Sequence, residues 1–291
     1  MPTPSESQLL IYRDDLSHPI ISGNKLHKLR PNITFAKSHG LDTVLSFGGA
    51  YSNHLHALAW ACKEAGLASI GLVRGELHNE LTPTLRDCKT WGMQLLPITR
   101  KAYRNLQNTL LAGGTANLLD VGLPYSLIET AKSSLVIPEG GSNLMAIESV
   151  AQAYRPIFSD PRYKNVTHAV CATGTGATLA GLYKAAPRGV KVIGIQAVAE
   201  GDATIDRIQN WLGNDVTNLS IVAGHLGGFA KKPCDLLEFI DDFESQHKIP
   251  LDPIYNGKVM FKLTQMAKQN YFAKTDKVLV IHTGGLQGLS R

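Results

Sequence analysis

Cysteine is scarce and scattered in this 291-residue chain: Cys62, Cys88, Cys171 and Cys234 lie far apart, and none forms a C-x-x-C pair. That spacing excludes a disulfide framework and a zinc knuckle, and it suits reduced thiols in a cytoplasmic setting. No apolar run approaches the roughly 18 residues that a membrane span requires. The start, Met1-Pro2-Thr3-Pro4-Ser5-Glu6-Ser7, has neither a basic region nor an apolar stretch with a cleavage site, so no export signal is expected. Charge is sparse as well: 18% of residues are Asp, Glu, Lys or Arg, the formal net charge is +5, and the basic residues are dispersed. A nucleic-acid surface would gather them in a stripe with interleaved aromatics, so a small anionic ligand is the expected partner. Of ten histidines only His54 and His56 lie close together. A spacing of two on a helix sends them to different faces, and no metal site is expected.

Apolar residues, at 44%, and 27 glycines are what the chain has in quantity. Strand-like and helix-like stretches alternate along its length. The stretch 9–16 starts as a short strand and ends in a polar turn, and strands are expected at 43–47, 68–73, 93–98, 134–137, 168–171, 190–198 and 278–281, each a short apolar run. Helices are expected at 26–40, with Pro31 in its first turns, and at 53–66, 84–91, 103–119, 144–154, 179–185, 203–211, 235–247 and 257–270. A break at Gly113-Gly114 interrupts the fourth, and 224–232 reads as irregular. Such alternation predicts an α/β fold with parallel sheets covered on both faces. Ligands in these folds sit beyond the carboxyl ends of strands. Glycine-bearing loops occupy that place at Gly48-Gly49, Gly140-Gly141, Gly174-x-Gly176 and Gly284-Gly285.

Two polar clusters stand beside expected helix starts: Ser22-Gly23-Asn24-Lys25-Leu26-His27-Lys28-Leu29 and Phe47-Gly48-Gly49-Ala50-Tyr51-Ser52-Asn53-His54. Unpaired N–H groups at a helix start favour an anion, and a lysine placed there is an anion contact or a nucleophilic amine. A third cluster, Gly174-Thr175-Gly176-Ala177-Thr178, follows a strand and opens a helix, as a phosphate cradle does. A complete dinucleotide fingerprint would need glycine where Leu179 stands, although Glu200, 24 residues after Gly176, could imitate its acidic residue. The residues alone leave open a monophosphate site, a dinucleotide site and a merely structural turn.

Five motifs in order resemble one family: Gly23-Asn24-Lys25-Leu26-His27-Lys28-Leu29; Gly48-Gly49-Ala50-Tyr51-Ser52-Asn53-His54; Thr173 to Gly181; Asp252-Pro253-Ile254-Tyr255-Asn256-Gly257-Lys258; and His282-Thr283-Gly284-Gly285. It is the 1-aminocyclopropane-1-carboxylate deaminase and D-cysteine desulfhydrase family, and the resemblance covers nearly the whole chain. It implies the tryptophan-synthase-β-like fold (fold type II), with two sheet-containing domains and pyridoxal 5′-phosphate in the cleft between them. Residues 1–42 and 139–291 would form the larger domain and 43–138 a smaller inserted one. A homodimer is implied as well.

By the same resemblance Lys25 would be the lysine that binds the cofactor covalently, and Asn53 would hydrogen-bond the cofactor's phenolic oxygen. Gly174, Thr175, Gly176, Ala177 and Thr178 would hold its phosphate, and Asn256 or Thr283 would contact the pyridine nitrogen. Ser52, with the backbone N–H groups of Asn53 and His54, would bind the carboxylate of a small amino acid, with Tyr51 and Tyr255 beside the substrate. Lys25, Ser52 and Tyr255 would be the catalytic residues. An amino acid would displace Lys25 from the aldehyde, and the freed amine would take the Cα proton, with Lys28 as a neighbouring cation lowering its pKa. Loss of a Cβ leaving group such as thiolate would give pyruvate and ammonia, a D-cysteine desulfhydrase-like α,β-elimination.

Three positions depart from the family. Asn256 stands where its deaminases carry glutamate, Tyr51 where glutamine is usual, and Gly227-Gly228-Phe229-Ala230-Lys231-Lys232-Pro233 lacks a second active-site tyrosine. A neutral Asn256 would leave the pyridine nitrogen largely unprotonated, which favours elimination of a good leaving group over opening a cyclopropane ring. Other readings are an aminocyclopropane-carboxylate deaminase or another enzyme of D-amino acids. From different classes come an NAD-dependent oxidoreductase, resting on Gly174-x-Gly176 and Glu200, and a non-catalytic small-molecule binding protein.

Overall fold

A computed structural model describes residues 9–111, 129–130, 133–198, 203–213, 216–228 and 231–288. The expected helix break at Gly113-Gly114, and the residues Glu200 and Phe229, lie outside them. The elements in chain order are β1 (Leu9–Tyr12), α1 (Asn24–Ser38), β2 (Thr43–Gly48), α2 (Asn53–Ala65), β3 (Ala68–Arg74), α3 (Pro83–Thr90), β4 (Gln94–Ile98) and α4 (Arg100–Leu111). There follow β5 (Leu135–Val136), α5 (Leu144–Tyr154), β6 (His168–Thr173), α6 (Ala177–Ala185), β7 (Lys191–Gln196), α7 (Ala203–Leu212), β8 (Leu219–Ala223), α8 (Cys234–His247), α9 (Asn256–Lys268) and β9 (Val278–Ile281). Grouped by contact, one unit comprises Met1–Ser17 with Val150–Leu289, and the other is chiefly His18–Ser149.

The first unit carries a five-stranded sheet in the order β1-β9-β6-β7-β8, and the second a four-stranded sheet in the order β4-β3-β2-β5. Every pairing in both is parallel, as the alternation of elements predicts. Parallel strands need crossover helices, and those helices cover both faces, so the central strands are buried throughout. All six residues of β6 and all four of β9 are buried. The edges follow other rules. Pro97 sits in β4, which bonds only β3, where its missing N–H breaks no second ladder. At the opposite edge of the other sheet lies β8, which the sequence reading does not anticipate. Its residues Leu219-Ser220-Ile221-Val222-Ala223 keep part of their surface, and the strand exists through pairing with β7 rather than through a buried apolar pattern of its own.

In the second unit successive residues of β2 serve opposite faces. Val44 packs with Leu29, Leu55, Leu58 and Cys62 from α1 and α2, whereas Leu45 and Phe47 pack with Ala102, Tyr103 and Leu106 of α4. Each of the valine, leucine and phenylalanine side chains taken fully from water contributes about 1.5–3 kcal/mol. α1 continues through Pro31 to Ser38. α2 begins at Ser52, whose Oγ accepts the Leu55 N–H, and ends at Gly66 in the left-handed conformation. In the first unit α8 and α9 cover one face of the sheet through Leu236, Ile240, Val259, Met260 and Leu263, which pack on Val170, Ile193 and Val280.

Gly257 lies at a close approach between α8 and the start of α9. A Cβ there would lie 2.5 Å from Ile240 Cδ1 and 2.7 Å from the Asp252 carbonyl oxygen, which is backbone and cannot rotate away. Gly257→Ala should therefore cost about 1–3 kcal/mol by overpacking. Urea unfolding should show a lowered midpoint at unchanged m-value.

Candidate active site

In the second unit the left-handed turn at Gly23 (φ 67°) introduces α1, whose second residue is Lys25. Lys25 keeps part of its surface, yet enough protein packs on it for desolvation to lower its ammonium from 10.5 to about 8. The Glu139 carboxylate opposes this more weakly. The positive end of α1 acts in the same sense as desolvation, since a helix start disfavours a cation. One turn on, Lys28 is buried and its Nζ donates to the Gly140 carbonyl at 3.2 Å. Asn32 Nδ2 donates to the Lys28 carbonyl, and Asn143 Nδ2 donates to Asn32 Oδ1 at 2.7 Å. The turn 139–141 is thereby fixed against α1.

The start of α2 belongs to this same cluster. Ser52 accepts the Leu55 N–H with its Oγ at 3.2 Å and the His56 N–H with its carbonyl at 3.1 Å. The amides of Asn53 and His54 come earlier, in the turn whose N–H groups have no helical acceptor. His54 is buried, and its pKa lies well below 6.5, first through desolvation and then through the charges of Lys25 and Lys28. It is a neutral imidazole. Tyr51, immediately before Ser52, is 67% exposed. Lys25, Lys28, Ser52, Asn53, His54 and Tyr51 are thus all elements of one unit.

The first unit holds the remaining candidates. β6 runs into Gly174-Thr175-Gly176, and α6 opens without any side-chain cap, which leaves its first N–H groups directed at the loop. Gly176 has φ 97°, and a Cβ there would meet Ile208 at 3.1 Å and Thr204 at 3.3 Å, so the turn closes only with glycine. Arg207 of α7 donates to the Thr175 carbonyl at 2.8 Å and holds the loop from behind. Thr173 Oγ1 is buried without a hydrogen-bond partner. The Tyr255 ring stands beside Gly174, 3.8 Å from where a Cβ would be.

Asn256 proves to be the centre of a closed polar knot. Its Nδ2 donates to Asp252 Oδ2 and to the Gly284 carbonyl, both at 2.8 Å. Its Oδ1 accepts the Thr283 N–H at 3.0 Å and the Thr283 hydroxyl at 3.3 Å. Asp252 takes the N–H groups of Ile254, Tyr255 and Asn256 as well. Both amide protons of Asn256 are therefore committed, while the Thr283 hydroxyl is held by one long bond and can turn to another acceptor. Ser46, Glu139 and Arg207 escape the sequence reading, and Asp252 is read there only as part of a motif without a role, because each acts through a neighbour. Ser46 had a signal, since it is a polar side chain inside the apolar run 44–47.

A sequence model of the family described as "Pyridoxal-phosphate dependent enzyme" matches residues 3–284. The chain belongs to this family. It is 29% identical to the bifunctional D-cysteine desulfhydrase/1-aminocyclopropane-1-carboxylate deaminase of Arabidopsis thaliana, over 98% of this chain and 74% of that protein. With the D-cysteine desulfhydrase of Salmonella schwarzengrund it shares 27% identity, over 97% of this chain and 88% of the relative. A crystal structure described as an ACC deaminase homologue superposes with a TM-score of 0.80 at 26% identity, covering 96% of this chain and 85% of that one. The fold is the type II fold of pyridoxal-phosphate enzymes, and the cofactor is pyridoxal phosphate rather than a nicotinamide. The residues fit it: an amine near neutrality, an uncapped helix start behind a glycine turn, and a buried unpartnered hydroxyl beside that turn.

The depressed pKa of Lys25 carries a stability cost with a definite sign. Below about 8 the folded chain must hold a desolvated ammonium, and this penalty is relieved as pH rises from about 8 toward 10.5, where the unfolded chain also loses the proton. In cofactor-free protein, wild type should therefore gain about 1–2 kcal/mol relative to Lys25→Met across that window. Urea midpoints measured at both ends would register it, and a constant difference would contradict the lowered pKa.

Proposed function

We propose that this protein is a lyase of the D-cysteine desulfhydrase type, which eliminates a β-substituent from a small amino acid, with D-cysteine and water giving pyruvate, hydrogen sulfide and ammonia. Support comes from the relatives named above and from one feature of the site, the closed knot around Asn256. When bound, pyridoxal phosphate supplies an aldehyde for Lys25 and a ring that withdraws electrons from the substrate's Cα. Lys25 would hold the cofactor covalently, and its Nζ, when free, would take the proton from the substrate's Cα. Ser52, with the amides of Asn53 and His54, binds the substrate carboxylate at the start of α2. Gly174, Thr175, Gly176, Ala177 and Thr178 hold the phosphate at the start of α6. Asn53 serves the phenolic oxygen, and Tyr255 and Tyr51 stand beside the substrate.

For the pyridine nitrogen, Thr283 is the better partner, because Asn256 has no amide proton to spare. A neutral hydroxyl leaves that nitrogen unprotonated and the electron sink weak. Such a site favours substrates whose leaving group carries the negative charge itself. A thiol, with an unperturbed pKa of about 8.5, departs as a stable anion, whereas opening a cyclopropane ring makes a carbanion. The reducing cytoplasm suits four free cysteines, of which Cys234 is exposed. A homodimer follows from the family resemblance.

The decisive measurement is pyruvate release from D-cysteine, L-cysteine, β-chloro-D-alanine, D-serine and 1-aminocyclopropane-1-carboxylate in parallel. D-cysteine and β-chloro-D-alanine should react, and the cyclopropane should be at least about a hundredfold slower. Lys25→Ala should fold yet lose the visible band of bound cofactor and all turnover. Inactivity on all five substrates, with cofactor bound, would instead favour a non-catalytic binding protein.

A further inference from the structure

Ser46 lies in the middle of β2 and is fully buried. Its one hydroxyl proton goes to the Ile137 carbonyl at 2.7 Å. At the 2.8 Å contact with His54 Nε2, the serine oxygen can then only accept. The imidazole proton is therefore fixed on Nε2, and Nδ1 carries a bare lone pair. That atom is buried and has no hydrogen-bond partner, in a residue only 3% exposed. Buried acceptors are almost always satisfied, so one left open beside reacting groups asks for a donor from another state of the protein.

The surroundings narrow the choice of donor. A Cβ at Gly141 would lie 3.4 Å from His54 Cε1, 3.6 Å from Nδ1 and 3.3 Å from Lys28 Cβ, so ring, lysine stem and 139–141 turn meet at one point. The charged groups acting on this cluster are Lys25 and Lys28 of α1 and Glu139 of the turn. The carboxylate has no proton to give. Lys28 Nζ spends one of its three protons on the Gly140 carbonyl, whereas Lys25 is the amine that gains a proton in the proposed reaction.

We propose that His54 is a positioning residue for Lys25: its Nδ1 lone pair, held in place by Ser46, is the acceptor on which the Lys25 ammonium docks after taking a proton from the substrate. The inference rests on the reading of Lys25 as the reacting amine. The proton leaves Cα, its electron pair stays with the substrate, and the new ammonium finds an acceptor in a site short of water. Only the neutral ring serves, since a protonated imidazole would repel the amine it is meant to hold. Ser46 acts at one remove, by denying His54 the other tautomer.

The test uses the full-length chain freed of cofactor, so that its result is independent of turnover. His54→Gln keeps an amide N–H for Ser46 but has nothing in place of the Nδ1 lone pair. The pKa of Lys25, read from the pH dependence of its acetylation by peptide mapping, should fall by about one unit in this variant, a tenfold change in ammonium fraction at a given pH. Lys28 should not move. Nitrogen NMR of the wild-type histidines should show His54 protonated on Nε2. If His54→Gln does not fold, Ser46→Ala should release the tautomer and lower the Lys25 pKa in the same direction. An unmoved Lys25 in either folded variant, a shift confined to Lys28, or a protonated Nδ1 in wild type would overturn the proposal. Failure of every amino acid in the turnover panel, with the Lys25 shift present, would remove the proposed reaction and leave this one standing.

Discussion

Keeping an ammonium group short of water is the constraint on which the second unit depends. A lysine in solution titrates near 10.4, so at pH 7 only about one molecule in 2,500 carries the free amine. With the value lowered to about 8, roughly one in ten does. The local architecture serves that end. Gly23 takes a left-handed turn so that α1 begins at Asn24, which places Lys25 at the positive end of a helix. The 139–141 turn is tied to α1 through Lys28 and Asn143, and its Glu139 recovers part of what desolvation takes. Full removal of that counter-charge would lower the amine further, and full exposure would restore an inert surface cation.

The first unit solves the opposite problem, holding polar groups together while leaving few of them free. The Asp252 carboxylate accepts four hydrogen bonds, three from consecutive backbone amides at the start of α9 and one from the Asn256 side chain. Asn256 passes the connection to Gly284 and Thr283 beyond the end of β9, so helix start and strand end are fixed by one side chain. A glutamate at 256 would set a second carboxylate against Asp252 and could not donate to the Gly284 carbonyl. The exchange of glutamate for asparagine is thus a change of structural role as well as of charge.

How much of this the sequence discloses depends on distance along the chain. The alternation of short apolar runs with helical stretches discloses parallel sheets, because strands buried on both faces read as short, mainly apolar runs, as β2, β6 and β9 do. The Gly174–Gly176 turn and the Ser52 cap are likewise local, each carried by a few adjacent residues. β8 is invisible because an edge strand half open to solvent has no such pattern. Ser46 and His54 stand eight residues apart, but what orients the serine is the carbonyl of Ile137, 91 residues away. Nor does sequence say that Asn256 spends both its protons internally. That is a property of where Gly284 lies.

The two polar arrangements restrict chemistry in complementary ways. An amine that is partly neutral at physiological pH can remove a proton from Cα without a strong external base. In the proposed reaction, a pyridine nitrogen served only by the hydroxyl of Thr283 would give little help in storing the charge that results. A substrate that suits both conditions must lose its proton and then shed the charge quickly, through a Cβ group stable as an anion. Thiolate and chloride meet that requirement; a cyclopropane carbon does not. The identity of one side chain, Asn256, therefore bears on the choice between the two activities named among the relatives, although neither of its amide protons is free to meet the cofactor.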